Sequence, residues 1–484
     1  MNYRMIAYII GHIVRVEGIL MTLPLVCALV YGEGSWLAFL IPITLSLLVG
    51  TLLTIRKNEN TQIYAKEGFV IVALSWIIMS VIGAVPFVLD GCIPSFVNAF
   101  FETVSGFTTT GATILTDVEA LDHSMLLWRS FTHWIGGMGV LVFVMAILPQ
   151  SDTRSVKLMH IMRAEVPGPK VGKLVSKISR TARIMYGIYI VMTLIEAILL
   201  IFGGMPVFDS ILNSFATAGT GGFGIKSASI AAYDSAYVDY VIGVFMILFG
   251  INFNLYYFII IGQGLQALKS EELRWYGAIA AVSIVLISFD IYNIYGGVGE
   301  SVRYAFFQVA SIVTTTGFAT ADFNTWPVLS QTILVLLMFC GACAGSTAGG
   351  IKVGRIILLV KTGLREIKYM LHPRAVIAVN VEGKSVEREV IRGATSYVIV
   401  YIMLYAASFF CLTFAEECDL ITGFTAVAAT INNVGPGLGA VGPAGSFAGF
   451  TKFTKLLLSF VMLAGRLEIF PMIMLLAPST WRRR

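Results

Sequence analysis

Four short segments that combine hydroxyl or amide side chains with glycine are the residues of this chain best suited to binding an ion. One lies in Ser311–Thr320, where three consecutive threonines precede a glycine. Consecutive β-branched residues disfavour a helix, and glycine adopts backbone angles that other residues avoid. In a membrane, non-helical backbone is tolerated only where protein buries it or where it lines an aqueous path. The carbonyl and hydroxyl oxygens of this segment could therefore replace the water shell of a bare cation.

The same pattern recurs along the chain. Residues 101–112 align without a gap on residues 307–318, and weaker copies lie in 212–223 and 425–436. Unrelated kinks in a helical bundle would not explain this repetition, so one structural unit is predicted to occur four times. The polar turns of the four copies are Thr109, Thr110, Gly111; Thr220, Gly221, Gly222; Thr315, Thr316, Gly317; and Asn433, Val434, Gly435.

The composition is that of an integral membrane protein. Hydrophobic residues make up 57% of the chain and charged residues only 13%, against about 25% charged in soluble domains. The net charge of +5 falls in short loops and does not indicate nucleic-acid binding. Among the six cysteines, Cys340 and Cys343 have C-x-x-C spacing. Without a second pair or a nearby histidine, that spacing indicates small packing residues and no metal site.

The apolar stretches predict an all-α polytopic fold with about ten spans, since about 20 apolar residues cross a bilayer. The predicted spans are Ile6–Tyr31, Trp36–Ile55, Phe69–Leu89, Leu126–Leu148, Ile184–Phe202, Tyr237–Leu265, Trp275–Ile294, Val328–Leu359 (broken), Ala394–Phe414 and Phe453–Leu476. Segments too short to cross, such as Ser95–Ser105 and Ser301–Ile312, lie between the two members of each later pair of spans. We therefore expect two leading helices (residues 1–66) and four helix–pore helix–helix units around one pseudo-four-fold pore, with boundaries 67–150, 151–270, 271–380 and 381–484.

Basic residues orient the chain. They concentrate after the second span, in 151–183, in 352–392 and at the C terminus. All of these regions fall on one side of the membrane if both termini are cytoplasmic. The polar turns then follow short helices that descend from outside, whose C-terminal ends carry partial negative charge that favours a cation. The opposite loops are acidic, which fits either ordinary solvation or a vestibule that concentrates cations.

Two features on the inner side of the turns are candidate gate elements. The first is a glycine-rich run with Gly345, Ser346, Thr347, Gly349, Gly350 and Lys352. Gly341, Gly345 and Gly349 recur every fourth residue, which fits either close helix packing or, with the adjacent Gly349-Gly350, an unwound helix. The second is Arg466, because an ionisable residue in a span is a functional candidate. Its alternatives are pairing with Glu468 or reaching the inner surface. His133 is expected to pack or to lie at the interface near a helix start.

The whole chain resembles the Trk/Ktr/HKT superfamily of potassium transporters. The resemblance rests on the two leading helices, the four units and the four turns, of which the last continues as Asn433-Val434-Gly435-Pro436-Gly437. It implies that the four turns form a potassium selectivity filter. It also implies that the glycine-rich run and Arg466 gate the pore below it. The residues before the four glycines differ between units, so the filter is expected to be less regular than a four-fold symmetric one.

The resemblance further implies potassium uptake across the bacterial inner membrane by a homodimer. A cytoplasmic, TrkA-like nucleotide-binding regulatory subunit would bind the inner loops. Potassium is the transported ion, and no tightly bound cofactor, metal or catalytic residue is expected. A potassium symporter coupled to protons or sodium would need the same filter and stays open. An intramembrane enzyme is the remote alternative, because no acid, histidine or metal-ligand cluster is evident at one depth.

Overall fold

A computed structural model describes residues 1–55, 64–139, 178–375 and 377–481. Within these ranges the chain is predominantly helical. Its strands, Asn380–Val381 and Lys384–Ser385, form one antiparallel hairpin in which Asn380 faces Ser385. Six helices of the described chain are long and apolar enough to cross a membrane, or seven if one bent pair is counted. The predicted all-α fold, with two leading spans and four helix–pore helix–helix units, is confirmed.

The α-helices are Tyr3–Leu20, Thr22–Tyr31, Trp36–Thr54, Ala65–Asp90, Phe96–Phe107, His123–Gly137, Ile178–Phe202, Val207–Gly219, Ala236–Phe249, Phe253–Ile260, Gly264–Leu268, Glu271–Asp290, Tyr292–Tyr295, Val298–Val313, Val328–Cys340, Val353–Leu371, Arg388–Ala415, Leu420–Ile431, Lys452–Arg466, Phe470–Leu476 and Pro478–Trp481. Short 3-10 turns lie at Ser229–Tyr233, Phe323–Thr325, Gly439–Val441 and Phe447–Gly449.

The leading spans pack against each other through glycines. A β-carbon at Gly50 would lie 2.6 Å from the Gly11 carbonyl oxygen, so the two backbones approach as small residues allow. The first span is interrupted at Met21, which separates Tyr3–Leu20 from Thr22–Tyr31. Large apolar side chains such as Leu48 (59% exposed) face outward, as expected for lipid contact.

Each unit contains a short helix, here called pore helices 1 to 4: Phe96–Phe107, Val207–Gly219, Val298–Val313 and Leu420–Ile431. At about 1.5 Å per residue, the 12 residues of pore helix 1 rise about 18 Å, against a hydrocarbon core of about 30 Å. The predicted Ser95–Ser105 and Ser301–Ile312 correspond to pore helices 1 and 3. The pore helices are buried along their C-terminal halves, so they lie inside the bundle.

Two predicted spans are wrong as single helices. Tyr237–Leu265 ends as a helix at Phe249 and restarts at Phe253 with a bend of 92°. The Asn252 side chain accepts from the Asn254 amide at 2.9 Å and begins a new helix there. Phe453–Leu476 is interrupted after Arg466, because Glu468 and Ile469 adopt positive φ angles of 55° and 68°.

The predicted break in Val328–Leu359 is confirmed: helix ends at Cys340 and resumes at Val353. The every-fourth-residue glycines therefore do not line one continuous packed helix. The second half of the predicted span Leu126–Leu148, most of the basic loop 151–183, residues 56–63 and the C-terminal 482–484 lie outside the described residues. The unit boundaries stay predictions.

Candidate ion pathway

All four pore helices end in the same turn, here called filter segments 1 to 4: Thr109–Gly111, Thr220–Gly222, Thr315–Gly317 and Asn433–Gly435. The first residue of each segment has a positive φ: 53° at Thr109, 53° at Thr220, 56° at Thr315 and 55° at Asn433. The third is a glycine with φ of 81°, 73°, 87° and 96° in the same order. The chain thus makes one strained local structure four times, although the side chains differ.

The middle residue of each segment also makes the same hydrogen bond. Its amide donates to the carbonyl five residues earlier in the pore helix. The pairs are Thr110 to Ser105 (2.9 Å), Gly221 to Ala216 (2.9 Å), Thr316 to Ser311 (2.8 Å) and Val434 to Ala429 (2.8 Å). These bonds use helix-end carbonyls that a simple helix terminus would leave free.

The four segments form a closed ring. A β-carbon added to each glycine would strike the carbonyl oxygen of the middle residue in the next segment. The distances are 2.1 Å from Gly111 to Gly221, 2.0 Å from Gly222 to Thr316, 2.1 Å from Gly317 to Val434 and 2.6 Å from Gly435 to Thr110. Segment 1 thus meets segment 2, 2 meets 3, 3 meets 4, and 4 meets 1 again. Only glycine fits at these contacts, because any side chain would push the next carbonyl aside.

The ring offers oxygen atoms and few other ligands. Hydroxyl pairs support segments 1 and 3: Thr108 with Thr110 at 2.7 Å and Thr314 with Thr316 at 2.8 Å. The Asn433 amide donates to the Thr110 hydroxyl at 2.9 Å and joins segment 4 to segment 1. The part of the chain described contains no group of three or more His, Cys, Asp or Glu suited to a metal ion. Carbonyl and hydroxyl oxygens suit a hard cation that loses its water shell.

A cavity opens on one face of the ring. It has a volume of about 190 Å³, and its lining includes all four segment glycines, Gly111, Gly222, Gly317 and Gly435. Lys226 and Ser227 line this cavity. Hydrogen bonds from the Ser227 amide and the Lys226 side chain lower the pKa of Glu119. The Glu119 carboxylate is therefore charged at neutral pH, and it forms an ion pair with Lys226 at 3.2 Å.

The glycine-rich run, here called the intramembrane loop (residues 341–352), lies against the ring, and none of its residues lines that cavity. The Gly349 amide donates to the Thr315 hydroxyl at 2.6 Å. A β-carbon at Gly349 would lie 2.3 Å from the Asn432 carbonyl oxygen, at the end of pore helix 4. The loop therefore contacts segment 3 directly and lies next to segment 4.

Two other parts of the chain hold the loop. The Phe253 amide donates to the Gly345 carbonyl at 3.0 Å, from the bend after Phe249. The Glu272 carboxylate accepts from the Ala344 amide at 2.7 Å and from the Gly354 amide at 3.0 Å. Within the loop, the Ser346 hydroxyl donates to the Cys343 carbonyl at 2.6 Å. Cys340 and Cys343 are buried and free, in agreement with a packing role.

Arg466 connects the last unit to this loop. Its guanidinium donates to the Thr347 carbonyl at 2.7 Å and to the Gly136 and Gly137 carbonyls at 2.6 and 2.8 Å. The alternative partner Glu468 instead contacts Arg355. Lys352 donates to the Ala348 carbonyl and adopts a positive φ of 77° where the next helix begins. Both cationic candidates thus bind the loop backbone.

Comparison with known proteins identifies the chain. The model of the TrkH family, described as cation transport proteins, matches residues 37–287 and 295–483. The chain belongs to the TrkH family of cation transport proteins. The Trk system potassium uptake protein TrkH of Salmonella typhimurium is 36% identical over 488 residues, and the match covers 100% of both chains. TrkG of Escherichia coli is 36% identical over 487 residues and 99% of both chains.

The fold agrees with a solved TrkH structure. The crystal structure of the potassium transporter TrkH from Vibrio parahaemolyticus superposes with a TM-score of 0.89, at 32% identity and with both chains covered completely. The chain is therefore a multi-pass membrane transporter, and the intramembrane enzyme alternative is excluded by its family.

The sequence analysis missed a buried ion pair beside the ring. Arg129 lies 2.9 Å from Glu102, and both side chains are almost fully buried. Glu102 also accepts from the Ile114 amide at 3.0 Å and so holds the chain that leaves segment 1. Gln308 occupies the equivalent place in pore helix 3, and its amide lies near Thr320 and Ala321. The sequence does carry a signal for this pair. Glu102 aligns with Gln308 in the repeat, and a charged residue in a membrane-embedded helix needs a partner.

The structure also relocates His133. It lies in the last turns of the helix His123–Gly137, not near a helix start, and it is completely buried. Its neighbours are Gly219, the last residue of pore helix 2, and Gly221 of filter segment 2. His133 therefore packs, as one of the two sequence expectations had it, and it packs against filter segment 2.

Proposed function

We propose that this chain takes up potassium through the ring of four filter segments. The observation that carries the proposal is the closed cycle of glycine-to-carbonyl contacts, which makes one narrow opening surrounded by backbone oxygens. Pore-helix C-terminal ends surround the opening and favour a cation there. The relatives named as potassium uptake proteins support potassium as the ion.

In this proposal the ion loses water step by step onto carbonyls and hydroxyls of the ring. The residues that bind it are Thr109, Thr110, Gly111, Thr220, Gly221, Gly222, Thr315, Thr316, Gly317, Asn433, Val434 and Gly435. The segments differ at the middle position, so the four contacts are not equivalent. A filter of this kind selects by the number and placement of its oxygens, which depend on every glycine contact staying close.

The intramembrane loop is the proposed gate. Gly345, Ser346, Thr347, Gly349, Gly350 and Lys352 lie on the inner side of the ring, and Arg466 holds Thr347. With the loop bound to Thr315 and Arg466, the inner exit is obstructed and a positive charge lies close by. Release of these contacts would open the path.

The remaining features of the proposal concern the assembly. The chain would lie in a bacterial inner membrane as a homodimer with both termini in the cytoplasm. The relatives' names describe members of a Trk system, which supports a further subunit. We propose a cytoplasmic, nucleotide-binding, TrkA-like regulator on the inner loops. The four units would correspond to residues 67–150, 151–270, 271–380 and 381–484, after the leading pair in 1–66.

Uptake of ⁸⁶Rb⁺ into liposomes that contain the purified protein tests the function. Outward potassium gradients should drive uptake, and external K⁺ should compete with it while Na⁺ should not. Equal competition by both ions would overturn potassium selectivity. Imposed proton and sodium gradients distinguish a symporter from a conduit. Uptake through a conduit responds only to the Rb⁺ and K⁺ gradients and the membrane potential.

A further inference from the structure

Filter segment 2 lacks a side chain where the other segments have one. The middle position is Thr110 in segment 1, Thr316 in segment 3 and Val434 in segment 4, but Gly221 in segment 2. In segments 1 and 3 that side chain packs behind the turn and shares a hydroxyl contact with the threonine two residues earlier. Without compensation, segment 2 would have an empty space behind its backbone and a more mobile carbonyl.

The His133 imidazole fills that space. A β-carbon at Gly221 would lie 2.1 Å from His133 Nδ1, 2.3 Å from Cγ and 2.5 Å from Cε1, so the ring occupies the volume of the missing side chain. The ring lies 4.2 Å from the ring of Phe223, the residue that follows segment 2. Gly219 packs against the His133 backbone. A β-carbon added to Gly219 would lie 2.3 Å from the His133 carbonyl oxygen.

The contact is polar as well as steric. Both ring nitrogens are buried, and the backbone of Gly106 in pore helix 1 faces the imidazole. The ring therefore lies between the polar backbone of pore helix 1 and segment 2. A nitrogen placed against segment 2 corresponds to the hydroxyl that Thr110 and Thr316 place behind segments 1 and 3.

We propose that His133 is a positioning residue that takes the place of the Gly221 side chain and sets the ion preference of segment 2. The inference rests on the proposed potassium filter. His133 does not need to touch the ion, because it acts by holding the Gly221 carbonyl. That carbonyl is the one nearest to Gly111, so a shift at Gly221 would also open the contact between segments 1 and 2.

A rescue experiment tests this assignment with ⁸⁶Rb⁺ uptake and K⁺ or Na⁺ competition. His133→Ala should lower the preference for K⁺ over Na⁺ by about ten- to a hundred-fold, the effect of misplacing one group by about 1 Å. Gly221→Thr alone should lower the preference for K⁺ further, because the threonine side chain would strike the His133 imidazole. The double variant His133→Ala/Gly221→Thr copies segments 1 and 3 and should recover most of the preference. His123→Ala, at the exposed end of the same helix, and Gly187→Thr, which faces open space, are the matched controls.

The outcomes separate the inference from the function on which it rests. If wild type prefers K⁺ and His133→Ala prefers it equally, the inference is wrong and the filter proposal stands. If the single variants do not fold, the double variant decides: recovery of a monodisperse, selective protein supports the contact, and no recovery overturns it. A wild type without K⁺ preference would overturn the proposed function itself.

Discussion

The Arg466 guanidinium donates to the Thr347 carbonyl at 2.7 Å, across 119 residues of sequence, and so joins the last unit to the intramembrane loop of the third. The same side chain reaches the Gly136 and Gly137 carbonyls in the first unit. One residue therefore links three of the four proposed units through hydrogen bonds to backbone carbonyls.

Arg466→Ala should increase the basal flux. A hydrogen bond to a charged group contributes about 1.5–3 kcal/mol, so its loss should favour the released loop by about ten-fold or more. Rb⁺ uptake without any regulatory subunit measures this increase. Arg365→Ala, whose partner Glu366 is its sequence neighbour, is the control and should behave as wild type. An unchanged flux in Arg466→Ala would show that the loop is held without this contact.

Thr315→Ala should loosen the loop at its contact with segment 3. The Gly349 amide would lose its acceptor, and a buried donor without a partner costs about 1–3 kcal/mol. Hydrogen–deuterium exchange of a peptide that covers residues 341–352 should become faster. Thr315→Ser keeps the hydroxyl and should exchange as wild type. Equal protection in Thr315→Ala and Thr315→Ser would contradict the docking contact.

Glu272→Ala should destabilise the protein. It removes the acceptor of both the Ala344 and Gly354 amides, at the two ends of the loop. Two unpaired buried donors should lower the melting temperature in detergent by several degrees, roughly as expected for a loss of a few kcal/mol. Glu366→Ala, at an exposed ion pair, should leave the melting temperature unchanged. An unchanged melting temperature in Glu272→Ala would mean that other groups accept hydrogen bonds from the Ala344 and Gly354 amides.

Glu102→Ala should lower the free energy of unfolding by more than the loss of a surface ion pair would. Breaking a buried ion pair from one side destabilises by about 3–5 kcal/mol, because the other charge is left buried. The double variant Glu102→Ala/Arg129→Leu should recover part of that loss, since no isolated charge is left. Thermal unfolding followed by size-exclusion chromatography compares the two. A double variant less stable than the single one would show that the pair contributes through other contacts.

The sequence was sufficient to predict the fold and the four turns, because both depend on local pattern. Apolar runs define the spans. Each of the four polar segments ends in a glycine two residues after a threonine or asparagine. It could not predict contacts between units. The Phe253 amide after the bend donates to the Gly345 carbonyl of the intramembrane loop, the partner of Glu468 is Arg355 from another helix, and the space behind Gly221 is filled by His133 from the preceding unit. Such contacts have no periodic signal in one sequence.

Replacement of Gly317 tests the central claim most directly. Its β-carbon would lie 2.1 Å from the Val434 carbonyl oxygen, and its φ of 87° strains any other residue. The measurement is ⁸⁶Rb⁺ uptake in liposomes with K⁺ or Na⁺ as competitor, for wild type, Gly317→Ser and the control Gly277→Ser, which faces open space. The account predicts K⁺ preference in wild type and control and admission of Na⁺ by Gly317→Ser. A Gly317→Ser protein with wild-type preference would contradict it, because the ring of glycine contacts would then not line the ion path.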